Sequence, residues 1–128
     1  MTNILKTINS FIKSNIDGVT IYNDLFPKDD TNGVIAIHDP ATRVVNRFID
    51  GTAIYSLNVS YNARYPKANE ARSILDSILT LLDGQKLSDS LDDLELKLSA
   101  SANVQFYGTD DKGRSLYTCA VNVEYKTF

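Results

Sequence analysis

From Leu94 to Phe106 every even-numbered residue is apolar (Leu94, Leu96, Leu98, Ala100, Ala102, Val104, Phe106), while the odd positions are Glu95, Lys97, Ser99, Ser101, Asn103, Gln105 and Tyr107. A two-residue period sustained over that length belongs to a β-strand with one buried face, because successive side chains leave the pleat on opposite sides. Past Asp110-Asp111-Lys112-Gly113 the apolar parity becomes odd: Tyr117, Cys119, Val121, Val123 and Tyr125. A four-residue loop pairs Thr109 with Arg114, and with them Phe106 with Tyr117 and Val104 with Cys119. Even positions then meet odd ones, so both apolar sets fall on one face of the ribbon. The last third of the chain is expected to be a long antiparallel hairpin, and what precedes it must cover that face.

Two amphipathic helices are available to do so. Asn3 to about Asn15 spaces Ile4, Ile8, Phe11 and Ile12 by three and four residues, with Thr2 or Asn3 as N-cap and Asp17-Gly18 as the stop. Pro66 sits where a helix can begin without its N–H; Ala71, Ile74, Leu75, Ile78, Leu79 and Leu82 form the second stripe, and Gly84 ends it. Val19-Thr20-Ile21-Tyr22 and Val34-Ile35-Ala36-Ile37 read as short strands, separated by a polar loop from Asn23 to Asn32 that contains Pro27, Asp29 and Asp30. Arg43 to Ile49 fits a helical period through Val44, Val45, Phe48 and Ile49. Its β-branched content and the following Asp50-Gly51 turn favour a strand entering a hairpin.

From Thr52 the alternation returns. Ala53, Tyr55, Leu57, Val59 and Tyr61 form one face of a long strand, and only Ile54 interrupts the polar one. The connector after Gly84, with Ser88, Asp89, Asp92 and Asp93, reads as polar and irregular, with Leu87 and Leu91 adding at most a helical turn. This order predicts one domain over residues 1–128, of the α+β class: two helices packed on one face of a largely antiparallel sheet, ending in a long β-hairpin. The other sheet face is expected to be dominated by Ser, Thr, Asn and Gln.

Composition removes most chemistries. The 128 residues suit one core, and 43% hydrophobic with 23% charged residues is a folded, globular balance. No window approaches the roughly 18 uncharged apolar residues of a membrane span, and Met1-Thr2-Asn3 lacks the charged start of a secretory leader, so neither is expected. Thirteen basic against sixteen acidic residues, net −3, argue against a duplex-binding surface, and no sequence-specific nucleic-acid binding is expected. One Cys and one His exclude an internal disulfide and a zinc site built from several such ligands.

The remaining candidates have structural explanations. His38 and Cys119 are the sole Cys–His combination. Cys119 lies on the inward parity, where a thiol acts as a small hydrophobe, and His38 stands beside the Asp39-Pro40 turn. The acidic pairs Asp29-Asp30, Asp92-Asp93 and Asp110-Asp111 lack the alternating spacing of a hard-cation loop, and the last of them is what a hairpin turn requires. The glycines are dispersed and make no phosphate cradle. Tyr55, Tyr61, Tyr117 and Tyr125 lie on apolar parity, which fits core packing rather than base stacking. No catalytic residue, metal or cofactor is expected, and the chain reads as a non-enzyme.

One charge asymmetry stands out. Arg43, Arg47, Arg64, Lys67 and Arg72 oppose only Asp50 and Glu70 within residues 43–72, a local net charge of +3 against −6 for the remainder. Such a division suits a plus-to-minus contact between copies, weakened by salt.

Arg47-Phe48-Ile49-Asp50-Gly51-Thr52 leads into the long alternating strand, Glu70-Ala71 opens a leucine-rich helix, and Tyr107-Gly108-Thr109-Asp110-Asp111-Lys112-Gly113 precedes Leu116-Tyr117 and the final strand. Across roughly Gly33 to Tyr125 this pattern resembles the minor capsid proteins of tailed bacteriophages with long non-contractile tails, a group similar to the tail-terminator or tail-completion proteins. The resemblance implies a small α+β subunit that forms a hexameric ring at the head-proximal end of the tail. The ring stops growth of the tail tube and offers a surface to the head-completion or connector protein. It implies a virion location after synthesis in the host bacterial cytoplasm, and brings no catalytic, metal or cofactor residues. The rival from a different class is a small non-enzymatic module that binds a peptide or small molecule, with a pocket between helix and sheet.

Lengths single out an assembly surface. Residues 94–107 extend about 46 Å as a strand, whereas a helix from Pro66 to Asp83 covers about 27 Å. Part of the ribbon is then uncovered, with Val104, Phe106 and Tyr117 on its apolar face and Tyr107 on the other, unless the connector around Leu87 and Leu91 folds over it. The candidate interface residues are Arg43, Arg47, Arg64, Phe106, Tyr107 and Tyr117.

Overall fold

In the computed structural model, which describes residues 2–23, 32–38, 43–47, 49–51, 53–89 and 94–127, the chain runs α1 (Thr2–Asn15), β1 (Ile21–Asn23), β2 (Gly33–His38), β3 (Arg43–Arg47), β4 (Ala53–Tyr65), α2 (Ala68–Leu82), β5 (Lys86–Asp89), β6 (Leu94–Thr109) and β7 (Ser115–Thr127). The expectations placed on Asp24 to Thr31, on Asp39-Pro40, on Leu91 and on Asp92-Asp93 lie outside the described residues, as do the side chains of His38, Arg43 and Arg47.

The strands form one seven-stranded sheet in the order β1-β2-β4-β7-β6-β5, with β3 also paired to β4. Only β1 and β2 are parallel; the other pairings are antiparallel. β2 and β3 lie in line along one edge of β4, β2 against Val59 to Arg64 and β3 against Ala53 to Ser56. β7 flanks the opposite edge of β4 along its whole length, from Ala53↔Thr127 to Tyr65↔Ser115. The structure is α+β as expected, with two helices and a largely antiparallel sheet.

The registers turn alternation into a core. Val34↔Ala63 and Ala36↔Tyr61 continue across β4 as Ala63↔Tyr117 and Tyr61↔Cys119, so the inward parities coincide from strand to strand. Val59, Tyr61, Cys119, Val121, Val123, Leu96 and Leu98 are buried there, with Tyr55 and Tyr125 stacked at 5.6 Å between ring centroids. α2 packs over β4, β6 and β7 with Ala71, Leu75, Ile78 and Leu82 buried. Ile4, Leu5, Ile8 and Ile12 of α1 complete the cluster. Asn9, buried on α1, is held at both ends of its amide: it donates to Asn23 Oδ1 at 3.0 Å and accepts from the Tyr61 hydroxyl at 3.3 Å.

Two expectations are corrected. Lys86–Asp89 is not an irregular connector or a helical turn but strand β5, paired with Leu94–Lys97 of β6. A single apolar residue, Leu87, gave no period; the segment is extended because α2 ends at Asp83, Gly84 donates to the Leu98 carbonyl, and Leu98 donates back to Gln85. In the hairpin, Phe106 does face Tyr117, but Thr109 faces Ser115 rather than Arg114. Extra residues sit in β6 between Ala100 and Ala102, between Ala102 and Gln105, and between Phe106 and Gly108. Ala102 is thereby turned to pair with Ala120, which lies on the face away from the helices, and the pairing of Val104 with Cys119 is replaced by a bulge. Arg114 is drawn out of the ladder because its side chain and amide both bind Asp110.

Tyr61→Phe removes the hydroxyl that donates to Asn9 and strands a buried acceptor. We expect a loss of about 1–2 kcal/mol in urea unfolding with an unchanged m-value; a midpoint within error of the wild type would contradict this account of the α1 anchor.

Candidate functional site

The six candidate residues separate into three places. On the helix side of the sheet, Phe106 and Tyr117 are cross-strand partners, packed edge-on with ring centroids 5.4 Å apart and planes at 66°, a favourable aromatic geometry. They end a row that runs through Ala63 and Val34. The inner members of that row are closed off, but Phe106 stays 56% exposed. β6 is an outer strand here: among the described residues β5 pairs only with Leu94–Lys97, about 30 Å away along the strand. Leu87 lies opposite Leu96 at that far end, so the part of the connector it occupies does not cover Phe106. The hairpin end is not a free arm either, since β4 backs β7 as far as Ser115. Phe106 is exposed as part of an edge.

Tyr107 is the extra residue of the third bulge, between Phe106↔Tyr117 and Gly108↔Leu116. Gly108 has φ +152°, a conformation that side chains resist and that lets the strand kink. The kink aims Tyr107 at the opposite sheet face. There it lines a shallow depression of about 260 Å³ together with Ile35, Ile37, Asn62, Arg64, Asp110 and Leu116. Partial burial raises the Tyr107 pKa and the nearby Arg64 cation opposes that rise, which places the phenol and the guanidinium in one electrostatic environment.

Arg43 and Arg47 are elsewhere. Arg43 faces Ser56 and Arg47 faces Ala53, eight and eleven residues along β4 from Arg64, or about 26 and 36 Å. Arg72 is exposed on α2 and lies 3.9 Å from Asp76, a pairing worth little in water. The basic stretch of the sequence is therefore spread along the sheet rather than gathered into one patch.

The turn beneath Tyr107 is firmly built. Asp110 Oδ1 accepts from the amides of Lys112 and Arg114, and Asp110 Oδ2 accepts from Arg114 Nε at 2.7 Å. Arg114 Nη1 also donates to Asn32 Oδ1 at 3.3 Å, tying the turn to the start of β2. Arg114 is only 6% exposed. Desolvation pushes the Asp110 carboxyl upward, but the Arg114 amide and guanidinium and the Lys112 amide together outweigh it and hold the pKa below the ordinary value.

Cys119 is buried, and desolvation with the nearby Asp76 pushes its thiol up to about 12, far from a thiolate at neutral pH. The registers His38↔Val59 and Cys119↔Tyr61 set the two backbones two strands and two residues apart, about 12 Å. No three of His, Cys, Asp and Glu gather into a metal-holding group among the described residues. No described helix is long and apolar enough to cross a membrane.

Sequence reasoning missed the apolar part of the outward sheet face. Ile37 is 37% exposed, and Ile35 and Leu116 are half-buried beside it. Its signal was present: Val34-Ile35-Ala36-Ile37 is apolar on both parities, so one half of the run had to face away from the helices. Ile49, fully exposed in the β3–β4 turn, was also missed as a surface residue.

No family model matches the chain, and no curated protein matches it.

The contribution of the Asp110–Arg114 pair is fully present above the ordinary carboxylate value of 3.8 and is lost as the pH falls through the lower folded-state value. Asp110→Asn is expected to lower the melting temperature at neutral pH, and the difference from wild type is expected to shrink as the pH falls through that lowered value. An equal deficit at neutral pH and below that value would contradict the ion-pair account.

Proposed function

We propose that the chain is a virion structural protein, a tail-terminator or head–tail joining subunit of a long-tailed phage. In this reading it forms a hexameric ring that caps the tail tube at the head–tail junction. Its partners are other copies of itself, the tail-tube protein and the head-completion or connector protein.

The observation that carries the proposal is the aromatic edge at the end of β6. Phe106 and Tyr107 are 56% and 55% exposed on opposite sides of an outer strand, and no charged residue occurs from Ser99 to Thr109. Outer strands are normally guarded by Lys, Glu or Pro, and an uncharged edge with large exposed rings is suited to being covered by another chain. The turn and helix patterns around Arg47–Thr52, Glu70-Ala71 and Tyr107–Gly113 support the same assignment. A structural role also makes no demand on Cys119, whose thiol is inert. The rival reading, a binding module for a peptide or small molecule, finds its support in the depression around Arg64. That depression lies on the outward sheet face, not between helix and sheet, and is shallow.

Light scattering on the purified chain is expected to give a discrete multiple of the chain mass, and negative-stain images a ring with a central opening. Phe106→Ser combined with Tyr117→Ser is expected to abolish assembly while keeping a cooperative thermal transition. A wild-type chain that remains monomeric at every accessible concentration would overturn the reading. If the dispersed basic residues contribute, the mass falls at molar salt, where screening shortens to roughly 3 Å; an unchanged mass removes the electrostatic contribution and leaves the apolar one.

A further inference from the structure

The two side edges of the sheet are stepped, and the steps fall at the same height. On one side β3 flanks the start of β4, along Ala53 to Ser56, while further up β2 flanks it and β1 lies outside β2. On the other side β5 flanks β6 only along Leu94–Lys97, and just above it the Ala100 amide donates to Asp83 Oδ1 at 2.8 Å. From Ser101 to Thr109 no described strand lies beyond β6. The registers set these levels against each other. Arg43, Ser56, Glu124, Lys97 and Lys86 share one row across the sheet, so β3 and β5 occupy the same lower rows. Ile21, Val34, Ala63, Tyr117 and Phe106 share an upper row, and Tyr22 and Gln105 end the row beside it. The lower level is therefore β3-β4-β7-β6-β5 and the upper β1-β2-β4-β7-β6. The two levels are equally wide and displaced by one strand, about 4.8 Å.

We infer that β1 of a second copy adds to the bare length of β6, beside Gln105 and Phe106, while β3 of that copy comes to lie along β5. The occupant is a second copy because the protrusion on one edge matches the notch on the other in height, depth and direction. β1 runs against β4 and β6 runs with it, so two copies standing side by side meet with β1 antiparallel to β6. Composition agrees: no charged residue occurs from Val19 to Asn23 or from Ser99 to Thr109, so neither edge carries the Lys, Glu or Pro that keeps strands apart. An added strand supplies main-chain hydrogen bonds to groups that β6 otherwise turns to water. The contact joins different edges, and its repetition gives a ring when the rotation closes, with the helices of every copy on the same side of one continuous sheet. The inference rests on the ring reading above and names the strand that covers the Phe106 edge.

Cross-linking reads this contact directly. Tyr22→Cys and Gln105→Cys place thiols on the helix-free face at opposite ends of one row, four strand spacings or about 19 Å apart in their own chain. They come within reach of a short bis-maleimide once two copies pair. Cys119 is buried and its thiol stays protonated, so it does not compete. Neither single variant is expected to cross-link to itself. A one-to-one mixture allowed to exchange subunits is expected to give a covalent dimer, and the double variant a ladder that ends at the mass of the ring. Thr20→Cys, exposed and two residues along the same face, takes the place of Tyr22→Cys if that variant melts early. Gln105→Lys, which puts a charge on the bare edge, is expected to weaken self-association about tenfold or more by sedimentation with a thermal transition like the wild type. Cross-linking of Gln105→Cys alone means that β6 faces β6 across a two-fold axis and overturns the inference. A wild-type oligomer whose mixture and double variant give no cross-link overturns the edge pairing and leaves the ring reading standing. A monomeric wild type overturns both.

Discussion

Burial of one parity of β4 is the constraint on which the remaining structure depends. Three strands pair with it directly, and two of them, β2 and β7, place their apolar sets on the face where Leu57, Val59, Tyr61 and Ala63 point. A slip of one residue in either of these registers would send an entire apolar set to the solvent side. The helices add a polar check to this apolar rule. Tyr61 reaches through the core to Asn9 of α1, which in turn holds Asn23 of β1, so the helix is fixed in rotation and not merely pressed onto the sheet. A desolvated hydroxyl in that position has to be matched by a partner. The steep rise in the Tyr61 pKa, driven by burial, reflects how little water reaches it.

The fold was legible wherever a period was long. The alternation from Leu94 to Phe106 and from Tyr117 to Tyr125 gave the hairpin and its face, and the stripe from Ala71 to Leu82 gave α2. Four-residue β5 carries one apolar residue, so it has no period, and its extended form comes from hydrogen bonds to β6 that no local pattern announces. The bulges were invisible for a different reason. Ala100, Ala102 and Val104 keep perfect parity on paper, yet small side chains at Ala100 and Ala102 hold the strand to its face only weakly, and the register drifts between them. Where large residues return, at Phe106, the pairing with Tyr117 is the one the parity demanded.

The candidate surface was legible residue by residue but not as an arrangement. Phe106 and Tyr107 are neighbours in sequence and were expected on opposite faces, as found, but the bulge at Gly108 that directs Tyr107 toward Arg64 has no signature beyond the glycine itself. Arg43, Arg47 and Arg64 looked like one basic stretch because they are close in number. An extended chain spends about 3.3 Å on each residue, so a run of charges that would share a helix face is drawn out over the length of the sheet. Charge clusters read from sequence carry spatial meaning only after the element type is known.

The irregularity of β6 bears on how such a chain can change over evolutionary time. Between Leu98, which faces Val123, and Phe106, which faces Tyr117, the strand holds two residues more than its partner. Two is an even number, and only for that reason do both ends remain on the helix side. Loss of one residue between them would invert everything beyond it, carrying Phe106 away from Tyr117, whereas loss of two would straighten the strand and leave its faces unchanged. Length variation in this segment is therefore tolerable in pairs and disruptive singly, a counting rule that related chains would have to obey whatever their side chains.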